Sequence, residues 1–252
     1  MGKRHNNIGI KQTVRLEWMQ KTVNLLFAGL EEATIRQELH EYLHDRKGSG
    51  STGERSDVAR SFAVSNLMRI WVNPDADLLP LRDAALASIR TDPAASIPAH
   101  WAMISAAYPF WYNVARQTGR LLNLQDQVTH AQIVHRLKEH YGDRQTVSRN
   151  TQFVIRSFIA WSVLRDSATT GCYEKTTPII ISNQNLALLM IESALQATSE
   201  GKETLSLLLN TPAFFPFQLP TLTGDFIAQH AERIRVTRYG LDEELLKLQN
   251  KD

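Results

Sequence analysis

Apolar residues recur at three- and four-residue steps along most of this chain, which predicts a mainly helical protein. In 14–29 the repeating positions are Leu16, Met19, Val23, Leu26 and Phe27, and in 30–45 they are Ile35, Leu39, Tyr42 and Leu43. A third helix over 56–72 carries Val58, Phe62, Leu67, Ile70 and Trp71, and Asn73-Pro74 stops it. A shorter helix covers 79–90. The segment 92–98 holds two prolines and reads as the connector between a helical N-terminal domain (1–95) and a second domain (96–252). In the second half, a helix from about Ala99 is interrupted near Pro109, and further helices are expected over 185–198, 203–210 and 224–232. Residues 209–222, rich in proline and phenylalanine, read as an irregular strap. Residues 234–239 alternate as a short strand, and 241–248 close the chain. Residues 1–12 are polar and basic and read as a loose arm, and 47–53 (KGSGSTG) as a flexible loop. No repeat at a fixed period is present.

The pattern is most informative between 105 and 182, where it predicts a winged helix-turn-helix. Thr129 with Gln132 forms a Thr-x-x-Gln capping box at the head of a helix whose buried stripe is Ile133, Val134, Leu137 and Tyr141. Gly142 ends that helix and opens a tight turn through Gln145. The next helix, over 146–161, turns Val147, Thr151, Val154, Phe158 and Trp161 inward. Gln145, Ser148, Arg149, Gln152 and Arg156 then share the opposite stripe. Arg can fork onto guanine, Gln onto adenine, and Ser onto base or backbone, so this is the row expected of a helix lying in a major groove. Two β-prone runs, 163–165 and 177–181, flank a loop containing Gly171 and read as the wing. Arg165 and Lys175 on the wing, with Arg144 in the turn, are expected to contact phosphates.

Charge sharpens this picture. The whole chain of 252 residues carries a formal charge of only +2. Between Thr129 and Arg165, however, six basic residues face two acids, so positive charge is concentrated on the predicted module. Composition is that of a globular protein, 43% hydrophobic and 21% charged. One cysteine, Cys172, leaves no disulfide framework and suits a reducing cytoplasm. No apolar run reaches the ~20 residues of a membrane span. Neither a signal peptide nor the serine or threonine of a Met1-Gly2 myristoylation motif is present. The partner implied is double-stranded DNA, because the A-form major groove of RNA is too narrow for a reading helix.

Other patterns carry less. His40-Glu41-Tyr42-Leu43-His44 matches HExxH, which on a helix puts two imidazoles on one face as zinc ligands. Lys47 and Gly50 stand where an extended zinc-protease motif needs Gly and His, which leaves only Glu54 or Asp57 as a third ligand. His130, His135 and His140 are five apart, a spacing that scatters the rings around a helix. Arg55 and Arg60 after the glycine-rich loop suggest a second phosphate seat at a helix N-terminus. The strand from Arg233 to Arg238 is expected to put three arginines on one face, as a backbone contact or as charge protecting an edge. No Walker loop, GxGxxG or GxSxG element appears, so no catalytic residue, metal, cofactor or small-molecule substrate is assigned.

A family resemblance accompanies this layout. The order is Leu81-Arg82-Asp83-Ala84-Ala85-Leu86, then His100-Trp101, Ala107-Tyr108-Pro109-Phe110 and Gly119-Arg120-Leu121-Leu122. Tyr141-Gly142-Asp143-Arg144, Thr146-Val147, Ala160-Trp161 and Val163-Leu164 follow. Over most of the chain this resembles the small helical BrxA proteins of bacterial BREX phage-exclusion systems. The resemblance implies a non-enzymatic, cytoplasmic DNA-binding component of an antiviral system, acting beside larger ATPase, methyltransferase and phosphatase-like subunits. The alternative is a scaffold or transcriptional regulator whose winged module binds another protein.

Overall fold

A computed structural model describes residues 3–239 and 243–249. Met1 and Gly2 of the myristoylation motif and Leu241 of the closing segment lie outside the described residues. The chain is mainly helical, with eleven α-helices and three small sheets among the described residues. No described helix is long and apolar enough to cross a membrane.

The N-terminal half contributes α1 (Leu16–Phe27), α2 (Glu32–Tyr42), α3 (Asp57–Leu67) and α4 (Leu79–Thr91). Ser56 caps α3 by accepting from the Ala59 amide. One wide π-helical turn, Met68–Val72, continues α3 and buries Ile70 and Trp71 before Asn73-Pro74 ends it. The predicted connector is shorter than the sequence suggests. Asp92 caps a 3₁₀ turn at Pro93–Ala95, and α5 (Ser96–Ala107) starts immediately afterwards. Pro98 is tolerated because it falls in the first turn of α5, where its missing N–H would have no helical partner.

Helix α5 is the centre of the molecule, buried from Pro98 through Ala107. Its Trp101 stacks on Phe158 with ring centroids 5.1 Å apart, and His100 meets Trp71 edge to face at 5.2 Å. Buried apolar residues from Ile10 to Leu248 form one cluster that runs through both halves of the chain.

The second half is built from two units of the same order. The first comprises α6 (Pro109–Leu122), β1 (Gln127–Thr129), α7 (His130–Tyr141), α8 (Gln145–Ala160), β2 (Leu164–Asp166) and β3 (Cys172–Lys175). Its sheet is antiparallel, with β3 between β1 and β2. A two-residue strand, β4 (Ile179–Ile180), follows. The second unit comprises α9 (Gln184–Ala197), β5 (Lys202–Thr204), α10 (Leu205–Leu209), α11 (Gly224–His230), β7 (Ile234–Tyr239) and β8 (Glu243–Leu248). Its sheet is antiparallel, with the last strand again in the middle, β5-β8-β7. The strap between α10 and α11 forms a 3₁₀ turn at Pro212–Phe214 and a strand, β6 (Phe217–Gln218), which pairs in parallel with β4.

Three expectations are corrected here, and the closing segment gains an assignment. The run 177–181 is not the second wing strand, because Ile179–Ile180 pairs with Phe217–Gln218 and the nearer Cys172–Lys175 closes the hairpin. Residues 1–12 are not a loose arm among the described positions. Arg4 is buried and its guanidinium donates to Asp77 and to the Gln196 side chain at 2.7 and 2.8 Å, while Ile10 joins the core. The described part of 241–248 is a strand paired with β7. The arginines of 233–238 do not share one face. Arg235 sits opposite Lys247, whereas Arg238 sits opposite Glu244 and also bonds Asp225, and Arg233 reaches the buried Glu192 at 2.7 Å.

Candidate nucleic-acid interface

Local chemistry fixes α7 and α8. The Thr129 hydroxyl accepts from the Gln132 amide at 3.2 Å, and the Gln132 side chain accepts from the Thr129 amide at 2.8 Å, so the capping box forms. Gly142, at φ +77°, takes the left-handed conformation that stops α7, and its amide donates to the Lys138 carbonyl at 2.8 Å. Three residues later α8 begins. Val147, Thr151, Val154 and Phe158 are wholly buried, and Trp161 nearly so, as the inward stripe predicts.

One flank of α8 is covered by the N-terminal segment. Asn150 donates to the Ile8 carbonyl at 2.6 Å, Ser157 accepts from the Val14 amide at 2.9 Å, and the Trp161 indole donates to the Val14 carbonyl at 2.9 Å. The opposite face stays open. Gln145, Arg149 and Arg156 are exposed along it, and Ser148 and Gln152 are half-buried. Arg144, at the N-terminus of α8, is exposed as well.

The cations on this surface differ in how they are engaged. Arg156 donates to Asp166 at 3.1 Å, and its guanidinium lies 6.0 Å from the centre of the Tyr173 ring. Arg165 pairs with Glu174 at 2.9 Å. Hydrogen bonds from Ser167 and Arg165 hold the Glu174 carboxyl below the usual carboxylate range. Lys175 donates to Asn123 at 2.8 Å, and Lys138 pairs with Asp143 at 2.7 Å. Among the described residues, Arg144 and Arg149 have neither an ion pair nor a side-chain hydrogen bond.

The other sequence patterns resolve into packing. Arg55 is buried and lies 4.9 Å over the Trp18 ring, donating to the Arg46 carbonyl and the Gln12 side chain. Arg60 pairs with Asp57. Both cations are therefore engaged by groups of the protein itself. In the HExxH string, α2 ends at Tyr42, so His44 lies past the helix on which the motif depends. His40 is half-buried, and its pKa is lowered by burial and by Arg60 and Arg36 nearby. Among the described residues no three His, Cys, Asp or Glu side chains are grouped as metal ligands. His130 contacts the Ser148 carbonyl at 3.0 Å and His140 packs on Tyr141, so these rings serve α7 and its junction with α8.

Sequence reasoning found α9, α10, α11 and β7 but missed β1, β5 and β8, and with them the shared order of the two units. Thr204 occupies the N-cap position after β5 that Thr129 occupies after β1, but it makes no capping hydrogen bond and no capping-box glutamine follows it. Comparison with protein-family models, with curated proteins and with solved structures gives no match for this chain.

Proposed function

We propose that α6 through β3 form a winged helix-turn-helix and that the chain binds double-stranded DNA through α8, without catalysing a reaction. The order helix–strand–helix–helix–hairpin and the sheet order β1-β3-β2 support the module. The observation that carries the DNA reading is the open row Gln145, Ser148, Arg149, Gln152 and Arg156 on α8, with Arg149 unpaired at its centre. An α-helix presenting amide and guanidinium groups along one exposed edge matches the donor and acceptor pattern of a major groove. Arg144 contacts the phosphate backbone beside the row, and Arg165 and Lys175 do so from the wing. The resemblance of the sequence to BrxA proteins supports a role for this activity in a bacterial phage-exclusion assembly.

Fluorescence anisotropy with a labelled 20-bp duplex tests the reading. The wild-type chain binds at low salt, and Arg149→Glu combined with Gln152→Glu weakens binding at least ten-fold. No measurable binding by the wild type, or equal binding by the variant, overturns it.

One observation favours a second reading, in which the winged module docks a protein. Both wing-side arginines, Arg156 and Arg165, are held by carboxylates, which reduces the positive field the wing offers to phosphates. A partner that co-purifies stoichiometrically, with no salt-sensitive DNA affinity, distinguishes this case.

A further inference from the structure

The two units of the second half use the same position of their sheets in opposite ways. In the first, the residue two before the helix-capping threonine is Gln127, and the ladder continues across the sheet through Glu174 to Arg165. Directly opposed strand residues share one face of a sheet. Here they are bonded to each other, with Gln127 donating to Glu174 at 2.8 Å and Arg165 donating to Glu174 at 3.0 Å. In the second unit the residue two before Thr204 is Lys202, and the ladder continues through Lys247 to Arg235. Three cations therefore stand side by side where the first unit has an amide, a carboxylate and a guanidinium.

All three side chains are exposed, while Ile234, Leu246 and Leu248 of the same strands are buried on the other face. Lys202 is paired with Glu200 at 2.9 Å, but Lys247 and Arg235 have no acidic partner among the described residues. Like charges directly opposite one another weaken a sheet. The fold has an obvious way to relieve this, a carboxylate on the middle strand, and the first unit uses it.

We infer that the Lys202–Lys247–Arg235 rung is a second phosphate-backbone contact for nucleic acid, carried by the second unit. Neighbouring strands lie about 4.8 Å apart, so the three chains span about 10 Å and their long stems can fan across successive phosphates. The next rung on the same face, Thr204–Leu245–Thr237, adds two hydroxyl groups of the kind that bond phosphate oxygens. A protein partner would need a large apolar anchor at the centre of the patch. The half-buried Leu245 is the one apolar side chain these two rungs offer. Helix α11 of this unit, in contrast to α8, shows Asp225, Ala228, Gln229 and His230, without a lysine or arginine. The second unit thus grips backbone and leaves groove reading to α8.

This inference rests on the reading of the chain as a duplex binder. The test is Lys247→Glu in the full chain, which turns the rung into Lys–Glu–Arg. Two quantities are measured, the melting temperature and the affinity for a labelled 20-bp duplex over a series of salt concentrations. The expected result is an unchanged or higher melting temperature together with affinity lower by on the order of ten-fold and a salt slope shallower by about one. A variant that binds duplex with wild-type affinity and slope, while Arg149→Glu abolishes binding, overturns the inference and leaves the role of α8 standing; an acidic protein is then the ligand to try. A wild-type chain that does not bind duplex at low salt overturns both.

Discussion

Arg156 on α8 and Asp166 at the end of β2 are joined at 3.1 Å, so the helix proposed to enter the groove is tied to the hairpin that follows it by a carboxylate that would compete with DNA for the same guanidinium. Both side chains are about half exposed, at 47% and 55%. An ion pair of that exposure adds little to stability, roughly 0–1 kcal/mol. Asp166→Asn should therefore leave the denaturation midpoint nearly unchanged while tightening duplex binding several-fold, since it frees Arg156 and removes a negative charge from the interface. Weaker binding by this variant would show that Asp166 orients Arg156 and does not restrain it.

Gly119 explains how α6 meets the strap. A Cβ at this position would fall 1.9 Å from the Pro212 carbonyl oxygen and 3.0 Å from Phe215 Cβ. Both obstacles are tightly placed, and the nearer is backbone, so the helix would have to move away from the 3₁₀ turn. Gly119→Ala should destabilise by about 3 kcal/mol, at the upper end of what overpacking costs, despite the better helix propensity of alanine. Urea denaturation gives the value, and a loss under 1 kcal/mol would mean that the strap yields easily.

Ser162 shows the reverse situation. It sits at φ +58° two residues past the end of α8, where it lets the Val163 amide return to the Phe158 carbonyl at 3.0 Å. A side chain in this left-handed conformation is strained, and glycine is not. Ser162→Gly should raise stability by about 0.5–1 kcal/mol, measured by the same denaturation, with duplex binding unaltered.

His100 links stability to pH. It is wholly buried beside Trp71, and burial pushes its pKa down to about 3. Its Nε2 lies 3.2 Å from the Gln20 side-chain oxygen, and Nδ1 has no partner. Protonation would leave a charged donor at Nδ1 unsatisfied in the core. In the unfolded chain the ring titrates near 6.5, so between pH 6.5 and 3 the unfolded state takes up a proton that the folded state refuses. Stability should fall as pH drops through this window, by up to about 1.4 kcal/mol per unit from this group. His100→Gln should show a flatter stability profile over pH 6.5–4 than the wild type. Parallel profiles would remove His100 as the cause.

Periodicity in the sequence was enough to find α7 and α8, because each carries both an apolar stripe and a boundary residue: Thr129 with Gln132 at one end, Gly142 at the other. The inward positions Val147, Thr151, Val154 and Phe158 follow from the same 3.6-residue repeat. The second strand of the hairpin after α8 was placed too late, since Ile179 and Ile180 look more strand-like than Cys172–Lys175 on propensity alone. Their true partner, Phe217–Gln218, is nearly forty residues away, and long-range pairing leaves no local mark. The docked N-terminal segment was hidden for a similar reason, as its backbone bonds to Asn150, Ser157 and Trp161 are invisible in a short polar string. The second unit shares topology with the first and no side-chain pattern that a period search could detect. On the candidate site, the row along α8 was readable, but the carboxylates that engage Arg156 and Arg165 were not, because they lie on neighbouring strands.

The central claim is that α8 lies against duplex DNA, and its most direct test is the salt dependence of binding for the wild type and for Arg149→Gln. Each phosphate neutralised contributes close to one unit to the slope of log affinity against log salt. The wild type should show a slope of several units, and Arg149→Gln should lose affinity at every salt concentration. A wild-type slope near zero, or identical titrations for the two proteins, would contradict the account.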